Sequence, residues 1–290
     1  MTTVSPVAVT FDHILVPTDF SEVSDRALEY AKSLAKQGNS ELLLLHVNPP
    51  IDLITPPEAA WIDVSNLESL REEQLEQKGA ALRSEGYRAR AISLTGALRD
   101  ELLHAVHDNK VDLIALGTHG RKGVDRFLAG SDAEAVFRQV RCPVLSVGPA
   151  APDLHGEVWS LREVICATTL KPSSAELVAY AHKLAAQHGA ELVLVHVKDG
   201  AREEDADWVS FEEAFHHFAP EYLGKGTWLG TRLAGATPDA TIVDLARRRG
   251  ADLIVMGAHP ASSMATHLPP GTAAKVLLEA PCPVLTLLQT

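Results

Sequence analysis

Residues 117 to 132 read GTHGRKGVDRFLAGSD and bring glycines and cations together in a way that suits a phosphate. Gly117, Gly120 and Gly130 are separated by two and then nine residues, and Ser131 follows the third. A residue without Cβ lets the backbone approach a ligand closely. Gly130 and Ser131 precede a helical apolar pattern, so their N–H groups would stand at the positive end of a helix, where an anion is stabilised. Arg121, Lys122 and Arg126 against Asp125 give the segment up to Gly130 a net charge of +2 inside a chain of net charge −12. Two readings stay open at this level: a phosphate cradle, or a turn capped by Ser131 with a solvated basic loop.

A second candidate is PTDFS at 17 to 21. Asp19 is suited either to accept hydrogen bonds from a ribose or base edge, as acidic residues do in dinucleotide folds, or to cap the helix that follows. The P-loop, G-x-G-x-x-G, G-x-S-x-G and H-E-x-x-H patterns are absent from the sequence, so no catalytic residue is assigned. Weak hydrolysis of a bound polyphosphate would have only Asp132 with Arg121 or Lys122 to position water and countercharge, and the chain reads as a binder rather than an enzyme. FEEAFHHF pairs Glu212 with His216 and Glu213 with His217 at i,i+4, and His104 and His107 stand at i,i+3. These read as solvated helix faces, and no metal site is assigned. His46 and His196 recur before a valine and read either as strand-end histidines or as contacts near a ligand.

These residues need a scaffold, and the sequence supplies it twice. ELLLLHV at 41 to 47 recurs as ELVLVHV 150 residues later, while VDLIALG at 111 and RCPVLSV at 141 recur as ADLIVMG and PCPVLTL 140 residues later. Within the first copy, HILVP, LLLLHV, RARAISLTG, VDLIALG and CPVLSV are short apolar runs. Segments of helical period separate them. In SEVSDRALEYAKSLAKQG, Ala27, Ala31, Leu34 and Ala35 share a face behind candidate caps Ser21 and Ser24, with Gly38 as the stop. Residues 97 to 109 and SDAEAVFRQV are further helices. The order βαβαβαβαβ with near-continuous apolar strands predicts a parallel sheet covered on both faces. The connector PAAPDLHGEVWS has the composition of a linker, which divides the chain near residue 155 into domains at 1–150 and 151–290.

In such a sheet a ligand binds beyond the carboxyl ends of the strands where strand order reverses, which is where both candidate loops fall. The acidic balance argues against a nucleic-acid partner. Apolar runs are too short to span a membrane, no signal peptide is read, and three cysteines without a C-x-x-C pair suit the cytoplasm.

The combination of ILVPTDFS, GTHGRKGVDRFLAGS and CPVLSV resembles the universal stress protein family, and the duplication resembles a tandem member of it. The G-2x-G-9x-G-[ST] spacing resembles the signature of its ATP-binding branch. The resemblance implies two tandem doubly wound five-stranded parallel sheets of order 3-2-1-4-5, an adenine nucleotide alpha hydrolase-like fold, with ATP as the bound nucleotide. It places Pro17, Thr18 and Asp19 along adenine and ribose, Val47 against the base, and Leu116 and Gly117 beside the ribose and α-phosphate. Gly120, Gly130 and Ser131 would wrap the phosphates, with Arg121 and Lys122 as countercharge. It also implies pairing through the final strands, a pseudo-dimer of the two repeats within one chain, and allows a homodimer of chains.

Asp132 departs from the family pattern and would either hold Mg²⁺ against the phosphates or repel them. In the second copy Thr169 replaces Asp19, Pro260 replaces the second glycine, and GAHPASSMATHLPPGT has no Lys or Arg. That loop is expected not to hold ATP in the same way. The expected function is an ATP-binding stress-response or regulatory protein in which bound nucleotide biases a conformation or a contact with a partner. A slow ATPase or other nucleotide-dependent enzyme, and a non-nucleotide interaction scaffold, are the alternatives.

Overall fold

The computed structural model describes residues 9–50, 64–118, 139–199, 228–235, 237–258 and 272–288. In the first repeat these form β1 (His13–Pro17), α1 (Glu22–Gly38), β2 (Glu41–Asn48), α2 (Val64–Ser84), β3 (Arg88–Thr95), α3 (Leu98–Asp108), β4 (Leu113–Gly117) and β5 (Val144–Val147). The second repeat contributes β6 (Glu163–Ala167), α4 (Ala175–His188), β7 (Glu191–Asp199), β8 (Trp228–Gly235), α5 (Pro238–Arg249), β9 (Leu253–Ala258), α6 (Thr272–Glu279) and β10 (Val284–Leu288). The helix expected at 131–140 falls almost wholly outside the described residues, and FEEAFHHF does so entirely.

The ten strands among the described residues join one sheet of order β3-β2-β1-β4-β5-β10-β9-β6-β7-β8. Each repeat therefore has the order 3-2-1-4-5 with parallel neighbours. The repeats meet where β5 and β10 pair antiparallel, with Leu145 opposite Leu285 and Val144 opposite Thr286.

Burial on both faces explains the continuous apolar strands. Leu42, Leu43, Leu44 and Leu45 are all fully buried, and alternate residues of β2 join two different cores. On one face Ile14, Val16, Leu42 and Leu44 pack with Ala27, Tyr30 and Ala31 of α1. On the other, Leu15, Leu43 and Leu45 pack with Leu102 and Ala105 of α3. Both cores continue into the second repeat, through Val178 and Ala181 of α4 on the first face and Ile242 and Val243 of α5 on the second.

Two local expectations are corrected. Gly38 does not provide the left-handed stop of α1; it is the last helical residue, and Asn39 takes that conformation at φ 54° with its N–H bonded to Ala35 O. Asparagine tolerates this region better than other residues with a Cβ. The connector is not a loose linker either. Trp159 is only 7% exposed. Its ring meets Tyr30 edge-on at a centroid distance of 4.9 Å, and its backbone N–H donates to Ser33 Oγ at 3.0 Å. Apolar residues within a Pro- and Gly-bearing stretch outweighed its turn-like composition.

All three cysteines are free. Burial pushes the thiols of Cys166 and Cys282 up to about 12 and that of Cys142 up to about 11. A maleimide at neutral pH is therefore expected to leave the native thiols largely unmodified, and to label all three after unfolding.

Candidate nucleotide site

Strand order in the first repeat reverses between β1 and β4. The two strands pair only at Ile14–Leu113 and Leu15–Ile114, whereas β1 stays paired with β2 as far as Pro17–Leu45. Pro17 explains the difference. The next residue, Thr18, donates its N–H to Leu45 O at 2.8 Å on the β2 side, so position 17 faces β4, and proline has no N–H to offer there. The carboxyl ends of β1 and β4 are thereby left without a ladder bond between them, which opens the crevice that this fold uses for ligands.

The turn after β1 is fixed by its own side chains. Thr18 is 3% exposed, and its hydroxyl lies 3.1 Å from Ser24 Oγ and accepts from Phe20 N–H at 3.0 Å. Phe20 has φ 65°, a conformation that a bulky residue holds only when its surroundings demand it. Asp19 is half-buried, and its Oδ1 accepts from Ser21 N–H at 3.0 Å and from Ser21 Oγ–H at 2.6 Å. Ser21 in turn caps α1 by accepting from Ser24 N–H. Asp19 thus supports the cap indirectly, and Ser21 itself is the N-cap.

His46 was the ambiguous residue. Its Nδ1–H donates to Thr18 O at 2.8 Å, and its ring lies 4.7 Å from that of Phe20, so it clamps the turn from β2. Its Nε2 is buried without a hydrogen-bond partner among the described residues. Burial holds its pKa below the ordinary 6.5, opposed in part by the Thr18 carbonyl. Because the folded value is depressed, the unfolded chain takes up the proton first as pH falls. Stability from this residue is therefore intact above 6.5 and lost below it, down to the folded pKa. Urea titrations at pH 7 and pH 5 should show this loss, and His46→Asn, which keeps a donor toward Thr18, should reduce it.

Val47 and Leu116 lie together in the core on the α3 face, at 4% and 1% exposure. They form an apolar floor beneath the strand ends. Gly117 ends β4, and a Cβ there would lie 2.5 Å from Val23 O and 2.8 Å from Val23 Cγ1 in the first turn of α1. Its lack of a side chain is thus required by helix packing. Helix packing by itself therefore accounts for a glycine at this position, a reason that no local sequence pattern carries. Gly120, Arg121, Lys122, Gly130, Ser131 and Asp132 lie outside the described residues.

Two participants had no clear signal in the sequence. Val23 fills the space beside Gly117. Thr118 is buried, and its hydroxyl donates toward Val147 O at 3.5 Å and Leu277 O at 3.4 Å. Leu277 lies in the last turn of α6, where carbonyls have no intrahelical partner. The residue that begins the first repeat's glycine loop therefore helps to terminate a helix of the second repeat. Only the chain crossing between repeats brings those two together.

The second repeat copies the turn but not its chemistry. His196 Nδ1–H donates to Thr168 O at 2.9 Å, Leu170 N–H donates to Thr168 Oγ1, and Leu170 has φ 57°. The histidines thus share a structural role at the strand ends. At the place of Asp19, Thr169 Oγ1 lies 2.9 Å from Ser174 Oγ. His104 and His107 are exposed on α3, as a solvated face requires.

The family model described as "Universal stress protein family" matches residues 10–148 and again 160–287. The chain belongs to the universal stress protein family. It is a tandem member, and single relatives match about half of it. A universal stress protein of Methanocaldococcus jannaschii is 35% identical over 143 residues, which cover 47% of this chain and 82% of the relative. One of Bacillus subtilis is 30% identical over 146 residues, covering 47% of this chain and 99% of the relative. Over the whole length, the structure is similar to that of a universal stress protein from Archaeoglobus fulgidus. The TM-score is 0.73 at 22% identity, with 96% of each chain covered. That likeness establishes the fold of this universal stress protein, and its function is argued from the site. Among the described residues, no helix is long and apolar enough to cross a membrane.

Proposed function

We propose that this universal stress protein is a cytoplasmic stress-response or regulatory protein that holds one ATP per chain, in the first repeat. The observation that carries the reading is the crevice between the carboxyl ends of β1 and β4. It is bordered by the clamped Thr18–Asp19 turn and by Gly117, from which the glycine-spaced basic loop departs. The residues fit an adenine nucleotide. From the apolar floor at the strand ends Val47 would lie against the base and Leu116 beside the ribose, and the Asp19 carboxylate would provide an acceptor suited to a ribose hydroxyl. Phosphates would be held by Gly120, Gly130 and Ser131 with Arg121 and Lys122 as countercharge, and Asp132 would hold Mg²⁺. Free thiols in all three cysteines suit a reducing compartment.

The second repeat, residues 151–290, serves as the first repeat's structural partner rather than as a second ATP site. Thr169 has no carboxylate, and its loop lacks cations and has proline where the first has glycine. Mass spectrometry of ligand released from the purified protein should detect an adenine nucleotide. Calorimetric titration should then give one equivalent of ATP per chain, with binding weakened by Asp19→Ala and abolished by Gly130→Val. Failure of the wild-type chain to bind millimolar ATP would refute this reading. Two equivalents per chain would refute the inactive second repeat.

A further inference from the structure

Tyr30 on α1 and Tyr180 on α4 are repeat equivalents 150 residues apart, yet they are covered differently. Tyr30 is 1% exposed, is met edge-on by Trp159, and donates its hydroxyl to Pro152 O at 2.8 Å. The connector supplies all of that cover. Tyr180 is only half-buried as a residue, but its hydroxyl oxygen is buried and has no hydrogen-bond partner among the described residues. A buried hydroxyl left without a partner is costly, so this one calls for an acceptor.

The chain entering β1 follows the course of the connector entering β6. Asp12 N–H and Arg162 N–H donate to Oδ2 of Asp112 and Asp252, each at 2.7 Å, and Phe11 and Leu161 are both buried. Two residues earlier, each lead-in crosses to the first helix of the other repeat. Trp159 N–H donates to Ser33 Oγ on α1 at 3.0 Å, and Val9 N–H donates to Gln187 Oε1 on α4 at 2.9 Å. The connector then continues along α1, placing Ala151, Leu154 and Trp159 in or against the core and the Pro152 carbonyl on Tyr30. Shifted by 150, those three packing positions are Met1, Val4 and Val9, all apolar, and the carbonyl position is Thr2.

We propose that the face of α4 around Tyr180 is a docking surface for this chain's own residues 1–8, with the Thr2 carbonyl accepting the Tyr180 hydroxyl. The segment would strap the second repeat to the first as the connector straps the first to the second. The inference is independent of any nucleotide.

Hydrogen exchange read by mass spectrometry tests it, on the full chain, on a chain lacking residues 2–8, and on Val4→Asp. Both changes should speed exchange of the α4 amides about fivefold or more, the factor set by losing roughly one hydrogen bond's worth of protection, while α1 stays protected by the connector. Tyr180→Phe should lower the urea midpoint in the full chain. In the chain lacking residues 2–8 it should leave the midpoint unchanged or raise it, because there it removes an orphaned hydroxyl. Unchanged α4 exchange in both variants, or the same effect of Tyr180→Phe with and without the segment, would overturn the proposal. So would protection of α4 that disappears on dilution, since a second copy would then be supplying the cover.

Discussion

Leu145→Asp should destabilise the protein by about 4 kcal/mol or more, as expected when a large buried side chain is lost and an unpaired charge takes its place. Leu145 stands opposite Leu285 in the antiparallel pair that joins the repeats, at 1% and 3% exposure. Both belong to the core on the α1 face, which runs through the two repeats without a break. A carboxylate there would have no cation opposite it and no route to water without separating β5 from β10. Urea unfolding checks the size, and Leu145→Met is the control, because it keeps volume and polarity and should cost less than about 1.5 kcal/mol. A loss below about 1 kcal/mol for the aspartate would mean that the junction contributes little to the fold.

Gly117→Val should lower stability by about 3 kcal/mol with no ligand present. A Cβ at this position meets the Val23 backbone at 2.5 to 2.7 Å, so no rotamer change relieves it and the first turn of α1 must move. Overpacking of a well-filled interior costs about 1–3 kcal/mol, and the rigid backbone obstacle places this case at the upper end. The displaced turn carries Ser21 and Ser24, which hold Asp19 and Thr18, so ATP affinity should fall as well. Thermal unfolding of the ligand-free protein separates the two causes. A variant of unchanged stability that lost only ATP binding would show that the glycine had been clearing space for the nucleotide alone.

Much of this architecture is visible along the chain because it rests on local patterns. Strands buried on both faces must be continuous apolar runs, and Leu42 to Leu45 could hardly be read otherwise. The spacing of Ala27, Ala31 and Ala35 likewise declares the buried face of α1. Duplication added an internal check, since each element had to be legible twice. What the pattern could not reveal depended on residues far apart in sequence. Gly117 owes its identity to Val23, which lies 94 positions earlier. Trp159 sits in a stretch whose prolines and glycine signal a turn, and only its contact with Tyr30 shows that the stretch is packed. Asp19 offered two roles from its position alone, and the bond to Ser21 shows how one carboxylate can brace a helix cap while bordering a crevice.

The antiparallel join of β5 to β10 has a directional consequence. Because each half-sheet is parallel within itself, reversal at the join points the strands of the two repeats in opposite senses. Their crevices therefore open on opposite rims of a single slab. Two occupants could never touch or compete for space, and a protein gripping one rim would leave the other facing solvent. Because the fused copies differ in sequence, the two rims are chemically distinct, whereas those of a symmetric pair of identical subunits would be the same.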